Sequence, residues 1–201
     1  MIRLFAATGN AGKLREFRLA AEDFPGIEIE LLPDFGAIEP CVESGMTFEE
    51  NSLLKARHYG PHAPGLLFAE DSGLEVDALG GAPGVFSARF AGYYATDAAN
   101  NRLLLDTLAG VQPRTARFVS VVTLIQGDRF RGSFRGEVEG MIAPEPRGVS
   151  GFGYDPLFFY PPFECTFGEA TPARKLSVSH RGQAFRAMLE SLEQALPTVA
   201  R

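Results

Sequence analysis

The 201-residue sequence predicts an α/β fold: a mixed sheet with a long antiparallel hairpin, helices on its faces, and two lobes with a central cleft. Three observations predict it. Short apolar runs alternate with stretches of helical period over most of the chain. An apolar, β-branched run before Gly127-Asp128 and a partly alternating run after it interrupt that alternation and read as a hairpin. No internal repeat or low-complexity tract divides the chain, so residues 1–201 read as a single domain.

Taken in order, Ile2 to Ala7 is a short apolar strand feeding the small-residue turn Thr8-Gly9-Asn10-Ala11-Gly12-Lys13. The helix after it carries Leu14, Phe17 and Ala21 on one face. Glu28 to Leu32 is a second strand, followed by a loop rich in proline and glycine. Thr47 and Glu50 form a capping box opening a helix with Phe48, Leu54 and Tyr59 inward, which ends near Gly60-Pro61. Glu50 is explained as a cap, whereas Asn51 and Lys55 beside it have no such structural explanation.

Leu66 to Ala69 reads as a buried strand ending in Glu70 and Asp71, the place where open α/β sheets bind ligands. Behind it, Gly80, Gly81, Pro83, Gly84, Ser87 and Arg89 make a loop dense in chain-bending residues. Thr96-Asp97 starts a helix with Leu103, Leu104 and Leu108 as its buried stripe. The hairpin runs from Ala116 to Gln126 and from Phe130 to Ile142, with Arg131, Arg135, Glu137 and Glu139 turned to water. After a break at Pro144 to Gly148, Phe152 stands between Gly151 and Gly153 on a loop anchored by the strand Leu157 to Phe159. Ser179 caps the last helix, whose stripe is Phe185, Met188, Leu189, Leu192 and Leu196. His180 and Arg181 then fall in its first turn, where the helix dipole disfavours cations unless an anion sits nearby.

Hydrophobic residues at 45% and charged residues at 22% are those of an ordinary globular protein. A net charge of -6 argues against a nucleic-acid surface, though not against a small polyanion held by a few aimed cations and a metal. Cys41 and Cys165 lie in no metal-ligand spacing and are expected to be free thiols in a reducing compartment. The N-terminal apolar run is too short for a signal peptide and no segment approaches a membrane span, so a cytoplasmic protein is expected.

Four features carry chemistry. Thr8 to Lys13 is an anion cradle at a helix N-terminus, although it matches neither the Walker A nor the G-x-G-x-x-G spacing. Asp71, with Glu70, offers a base or metal site; Phe152 offers a ring for stacking on a base; Lys175, His180 and Arg181 form a cationic clamp. Each has a plainer reading, as a surface lysine, a solvated strand end, a core phenylalanine or a charged helix start. Together they are the parts of a nucleoside triphosphate site with Mg²⁺. No Gly-x-Ser-x-Gly elbow or positioned cysteine is present, so metal-assisted attack by water is the natural chemistry.

Five blocks in order, ATGNAGK, TFEENSLLKA, AEDSGLEVDALGGAPGVFSARFAG, GFGYDP and SHRGQA, make the chain resemble the inosine triphosphate pyrophosphatase family from first strand to last helix. That resemblance implies a Mg²⁺-dependent homodimer hydrolysing the purine nucleotides ITP, dITP and XTP to monophosphate and pyrophosphate. Thr8, Gly9, Asn10, Ala11, Gly12 and Lys13 would bind the triphosphate, and Asp71 would be general base and metal ligand. Ser72 would contact substrate, Phe152, Gly153, Tyr154 and Asp155 would hold the base, and Lys175, His180 and Arg181 would complete the pocket. Some relatives carry a second metal-binding acid just ahead of the Thr47 helix. The aligned position here is Val42, so Glu43 beside it is the expected ligand, with Glu39, Glu50 and Glu70 as alternatives. Two other classes stay open: a different nucleotide phosphohydrolase and a non-catalytic nucleotide-binding module.

Overall fold

The structure, a computed structural model, describes residues 1–195; the expected inward Leu196 lies outside them. The elements are β1 (Ile2–Ala6), α1 (Ala11–Ala21), β2 (Ile27–Leu31), α2 (Phe48–Tyr59), β3 (Leu66–Val76), α3 (Asp97–Thr107), β4 (Thr115–Gln126), β5 (Arg129–Ile142), β6 (Phe158–Tyr160), β7 (Cys165–Thr166), α4 (Pro172–Val178) and α5 (His180–Ala195), joined by short 3-10 turns. They build one seven-stranded sheet in the order β2-β1-β3-β4-β5-β6-β7. β1 pairs in parallel with β2 and β3, and every later pairing is antiparallel, so the sheet is mixed as expected.

The expected strand at Leu66 does not stop at Ala69. It continues for 11 residues through both acids, because β4 supplies a partner at every position from Leu66↔Gln126 to Val76↔Ala116. Successive side chains of a strand point to opposite faces. Phe68, Glu70, Ser72 and Leu74 therefore share one face, and Leu67, Ala69, Asp71 and Gly73 the other. The cores follow this alternation. Phe68 packs with Phe17 of α1 and Phe185, Met188 and Leu189 of α5. Leu67 and Ala69 pack with Ala56 and Tyr59 of α2 on the opposite face. Leu74 and Val76 belong to a further cluster with Leu104 of α3, Leu108 just past its end, Phe118 and Phe158. The polar stretch from Glu70 to Gly73 lies where these cores meet.

β1 reaches only to Ala6, opposite Phe68, and the Gly84–Arg89 turn covers the same edge of β3 from Leu74 onward, where Ser87 Oγ accepts the Leu74 N–H at 2.8 Å. Between them the β3 edge has no neighbouring strand among the described residues. The glycine-rich loop is thus a wall laid along a strand; a Cβ on Gly73 would collide with the Gly84 carbonyl and Ser87 Oγ. Three details differ from expectation. Leu54 is only half-buried, since Ser52 and Ala56 take the inner face of α2. Leu103 is 37% exposed, leaving Leu104 and Leu108 as the stripe. Lys175 sits on α4, a helix of 7 residues, too short for its period to register in sequence.

Candidate functional site

Asn10 caps α1 by accepting the Lys13 N–H at 3.0 Å, and the exposed Gly9, Asn10 and Ala11 sit at this helix start. Lys13 turns inward, its Nζ 2.6 Å from Glu70 Oε2. Glu70 is buried and also accepts from Arg181 Nε at 3.1 Å and Ser120 Oγ at 2.9 Å. Burial alone would raise its pKa, but the charges of Lys13 and Arg181 more than offset this and hold the carboxyl well below the usual range. Arg181 further donates to Glu16 Oε2 at 2.5 Å and Ser72 Oγ at 2.9 Å. Lys175 donates to Glu16 Oε1 at 2.8 Å and Asp155 Oδ2 at 2.6 Å. The cations of the last two helices are thus neutralised by carboxylates, which answers the unfavourable dipole at α5. Ser179 Oγ caps that helix by accepting the Gly182 N–H at 3.2 Å.

Of these groups Asn10, Lys13, Ser72, Asp155, Lys175 and Arg181 line a cavity of about 120 Å³, together with Phe118, Phe152 and His180. The Phe152 ring is not loose on its glycines. Its backbone N–H donates to Asp155 Oδ2 at 2.8 Å, and the ring lies over Gly12, where a Cβ would approach its Cδ1 to 2.7 Å. Lys175 Nζ and Arg181 Cζ stand 5.0 and 5.3 Å from the ring centroid. His180 stacks on Phe118 at 4.7 Å, and its Nδ1 is buried without a partner among the described residues. Burial and the neighbouring Arg181 and Lys175 charges push its pKa well below the ordinary value, so the ring is a neutral imidazole. Tyr154 and Asp155 are buried, Tyr154 donating to the Ser87 carbonyl at 2.9 Å, so both hold the loop as well as line the cavity.

Asp71 faces the other side of β3. Lys55 Nζ lies 2.6 Å from Asp71 Oδ1 and 3.2 Å from Glu43 Oε2, bridging the two acids. Asp71 Oδ2 is buried without a partner among the described residues. Burial raises the Asp71 pKa to about 6, against the opposing pull of Lys55 and Lys13. The expected grouping of Glu70 with Asp71 as one acidic site is therefore corrected: as neighbours in a strand they point apart. Glu50 is a cap, its Oε2 accepting from Met46 N at 2.6 Å and Thr47 N at 3.2 Å. Asn51 has a structural role after all, gripping Gly45 N and O at 2.8 and 3.3 Å and so holding the loop that carries Glu43.

The family model for the Ham1 family matches residues 4–191. The chain belongs to the Ham1 family. Curated Ham1 relatives named dITP/XTP pyrophosphatase include one from Exiguobacterium sibiricum, 45% identical and covering 98% of both chains, and one from Syntrophobacter fumaroxidans, 49% identical over 96% of this chain and 83% of its own. The solved Ham1 protein of Coxiella burnetii superposes with a TM-score of 0.86 at 37% identity, covering 96% of this chain and all of its own. The resemblance drawn from the five sequence blocks therefore holds, and so does the mixed α/β fold.

Within this Ham1 chain the cavity gathers Asn10, Lys13, Ser72, the Phe152–Asp155 loop, Lys175, His180 and Arg181. Thr8, Gly9, Ala11 and Gly12 stand outside its lining, as do Asp71 and Glu43. The bare edge of β3 joins the two regions. Along a strand alternate N–H groups point to one edge, so the Ser72 N–H faces the same edge as that of Leu74. Sequence reasoning missed Glu16, whose signal was its position one turn beyond Lys13 on α1. It also missed Asp97, Asn100 and Asn101, which look like routine residues of a helix start.

Proposed function

We propose that this protein hydrolyses ITP, dITP and XTP to the nucleoside monophosphate and pyrophosphate. The observation that carries the reading is the division across β3: an aromatic, cation-lined slot on one face, a buried carboxylate with an unpartnered oxygen on the other, and a helix N-terminus beside the bare edge between them. A purine in the slot against Phe152 directs its phosphates over Lys13 and the N–H groups of Gly9 to Gly12 toward Asp71. Asp71 takes a proton from water as the new bond to the α-phosphorus forms. The bond from that phosphorus to the bridging oxygen breaks, and pyrophosphate leaves with its charge offset by Lys13.

Asp71 and Glu43 would hold Mg²⁺. The buried Asp71 Oδ2, without a partner among the described residues, is a free oxygen ligand, and an oxygen-only pair suits an ion that takes one or two carboxylates and completes its shell with water and phosphate. When bound, it would supply charge neutralisation at the phosphates, which the Lys55 ammonium beside both acids would supplement. The neutral His180 can donate or accept at the base edge without adding a charge. Hypoxanthine presents an acceptor at C6 where adenine presents a donor, and each buried group so mispaired by ATP costs ~1–3 kcal/mol. Useful rejection of ATP thus needs two or three such contacts acting together. The family resemblance supports a homodimer, and the two free thiols suit a reducing compartment such as the cytoplasm.

Incubation with Mg²⁺ and ITP, XTP, GTP or ATP, resolving pyrophosphate from orthophosphate, tests the reading. Monophosphate plus pyrophosphate, favouring ITP and XTP, is expected. Orthophosphate as primary product would refute attack at the α-phosphorus, and no turnover under several metals would leave a binding module.

A further inference from the structure

Asp97, Asn100 and Asn101 stand at i, i+3 and i+4 on α3 and therefore share one helix face. One turn further along, that face carries the buried Leu104 and Leu108. At the end near the cavity it is polar instead, although Asn100 and Asn101 are only 3% and 8% exposed. Their side chains reach backbone groups of two separate loops. Asp97 Oδ2 accepts the Gly153 N–H at 2.7 Å, and Asn101 Nδ2 donates to the Gly153 carbonyl at 3.0 Å. Gly153 is thus held at both its N–H and its carbonyl, directly after the Phe152 ring. Asn100 does the same for the Gly84–Arg89 wall, accepting the Ala91 N–H at 2.8 Å and donating to the Ala88 carbonyl at 3.2 Å. Both loops line the cavity, and Tyr154 ties them to each other at Ser87.

We propose that Asp97, Asn100 and Asn101 are positioning residues for the purine base, fixing the spacing between the Phe152 loop and the Ser87–Ala88 wall. Gly153 has φ +62°, a region where a glycine backbone is unrestrained by a side chain, so external hydrogen bonds set its peptide orientation. Asp155 and Gly12 hold the Phe152 side of the loop, and the two contacts from α3 fix the peptides on its Gly153 side. Loss of one grip lets the ring tilt and widens the slot. The base then binds less tightly and mispaired purines find room, while the phosphate cradle, built on α1, is untouched. This inference rests on the functional reading above.

The test uses Asp97→Ala, Asp97→Asn and the near-isosteric Asn101→Leu, with inosine monophosphate and tripolyphosphate as inhibitors that probe the base and phosphate regions separately. Asp97 is exposed, so its variants are expected to fold even where Asn101→Leu does not. Asp97→Ala and Asn101→Leu should each weaken inhibition by inosine monophosphate about tenfold, the effect of one lost hydrogen bond, and raise the KM for ITP with little change in kcat. Tripolyphosphate inhibition should stay at the wild-type level, the preference for ITP over ATP should narrow, and Asp97→Asn, which keeps an acceptor oxygen, should restore wild-type behaviour. Unchanged monophosphate inhibition, an equal loss for both inhibitors, or an Asp97→Asn variant as impaired as Asp97→Ala would overturn the inference. Wild-type protein inhibited by neither compound would instead bring down the functional reading beneath it.

Discussion

Replacing Asp71 by asparagine removes the base while keeping the size and one acceptor oxygen of the side chain. Lys55 retains Glu43 at 3.2 Å, so its buried ammonium is not left without a carboxylate. Substrate affinity should therefore survive while kcat falls about 10²–10⁴-fold, the contribution of a positioned general base. The pH dependence of the wild-type enzyme is the companion measurement. With its pKa raised to about 6, Asp71 is about one-tenth ionised at pH 5 and about nine-tenths at pH 7. Since the ionised form accepts the proton, kcat/KM should climb as pH rises through 6 and level off above 7. Higher Mg²⁺ should move this limb to lower pH, because a cation beside a carboxylate favours its charged form. Release of pyrophosphate from ITP, followed continuously, serves both experiments. An Asp71→Asn variant within about threefold of wild type would sink the assignment, since a general base is worth far more than that.

Phe152→Ala should raise the KM of ITP, XTP, GTP and ATP together by roughly 5–150-fold, the equivalent of ~1–3 kcal/mol of stacking; a loss confined to ITP would mean that the ring discriminates among bases. Gly12→Ala improves helix propensity, yet its Cβ would meet Phe152 Cδ1 at 2.7 Å and Asn10 Oδ1 at 3.0 Å. It should raise the KM for ITP without lowering Tm, and an unchanged KM would show that the ring's seat on α1 does not matter. Glu70→Gln strips a carboxylate from the buried Arg181, which keeps Glu16, and from the half-buried Lys13, and should cost about 1.5–3 kcal/mol in urea denaturation at pH 7. Because the Glu70 pKa is depressed on folding, its stabilisation is full above the ordinary value of 4.5 and is lost as pH falls below it. The gap between wild type and variant should accordingly narrow only below that value, and a gap already narrowing at pH 6 would contradict the pairing.

Signals confined to a few neighbouring residues were legible in the sequence. The Thr47–Glu50 capping box, the Ser179 cap, the hairpin about Gly127-Asp128 and the turn into α1 all form as read, because each needs only local geometry. Features decided by distant partners were not. Two consecutive acids look like a strand end, and β3 runs through them only because β4 offers a full ladder and cations arrive from α1, α2 and α5. Glu16 looks like one more surface acid of α1, yet its partners Lys175 and Arg181 lie 159 and 165 residues away. Nothing in a single chain's local pattern encodes such a pairing.

The same alternation that hid the acids explains how two adjacent carboxylates do different work. Neighbours in a strand face opposite sides, so Glu70 and Asp71 meet different cations and cannot chelate one ion as a pair. Glu70 meets Lys13 and Arg181, one of them a guanidinium, and is held as a permanent anion that fixes both where the nucleotide is proposed to bind. Asp71 is in contact with Lys55, which it shares with Glu43, and feels Lys13 from further off, so burial outweighs attraction and its pKa rises toward the range a general base needs. Chemically similar groups with pKa values driven apart by their surroundings mark a division between holding and reacting. Here that division follows from one residue of strand register, and a slip of one position would exchange the two roles.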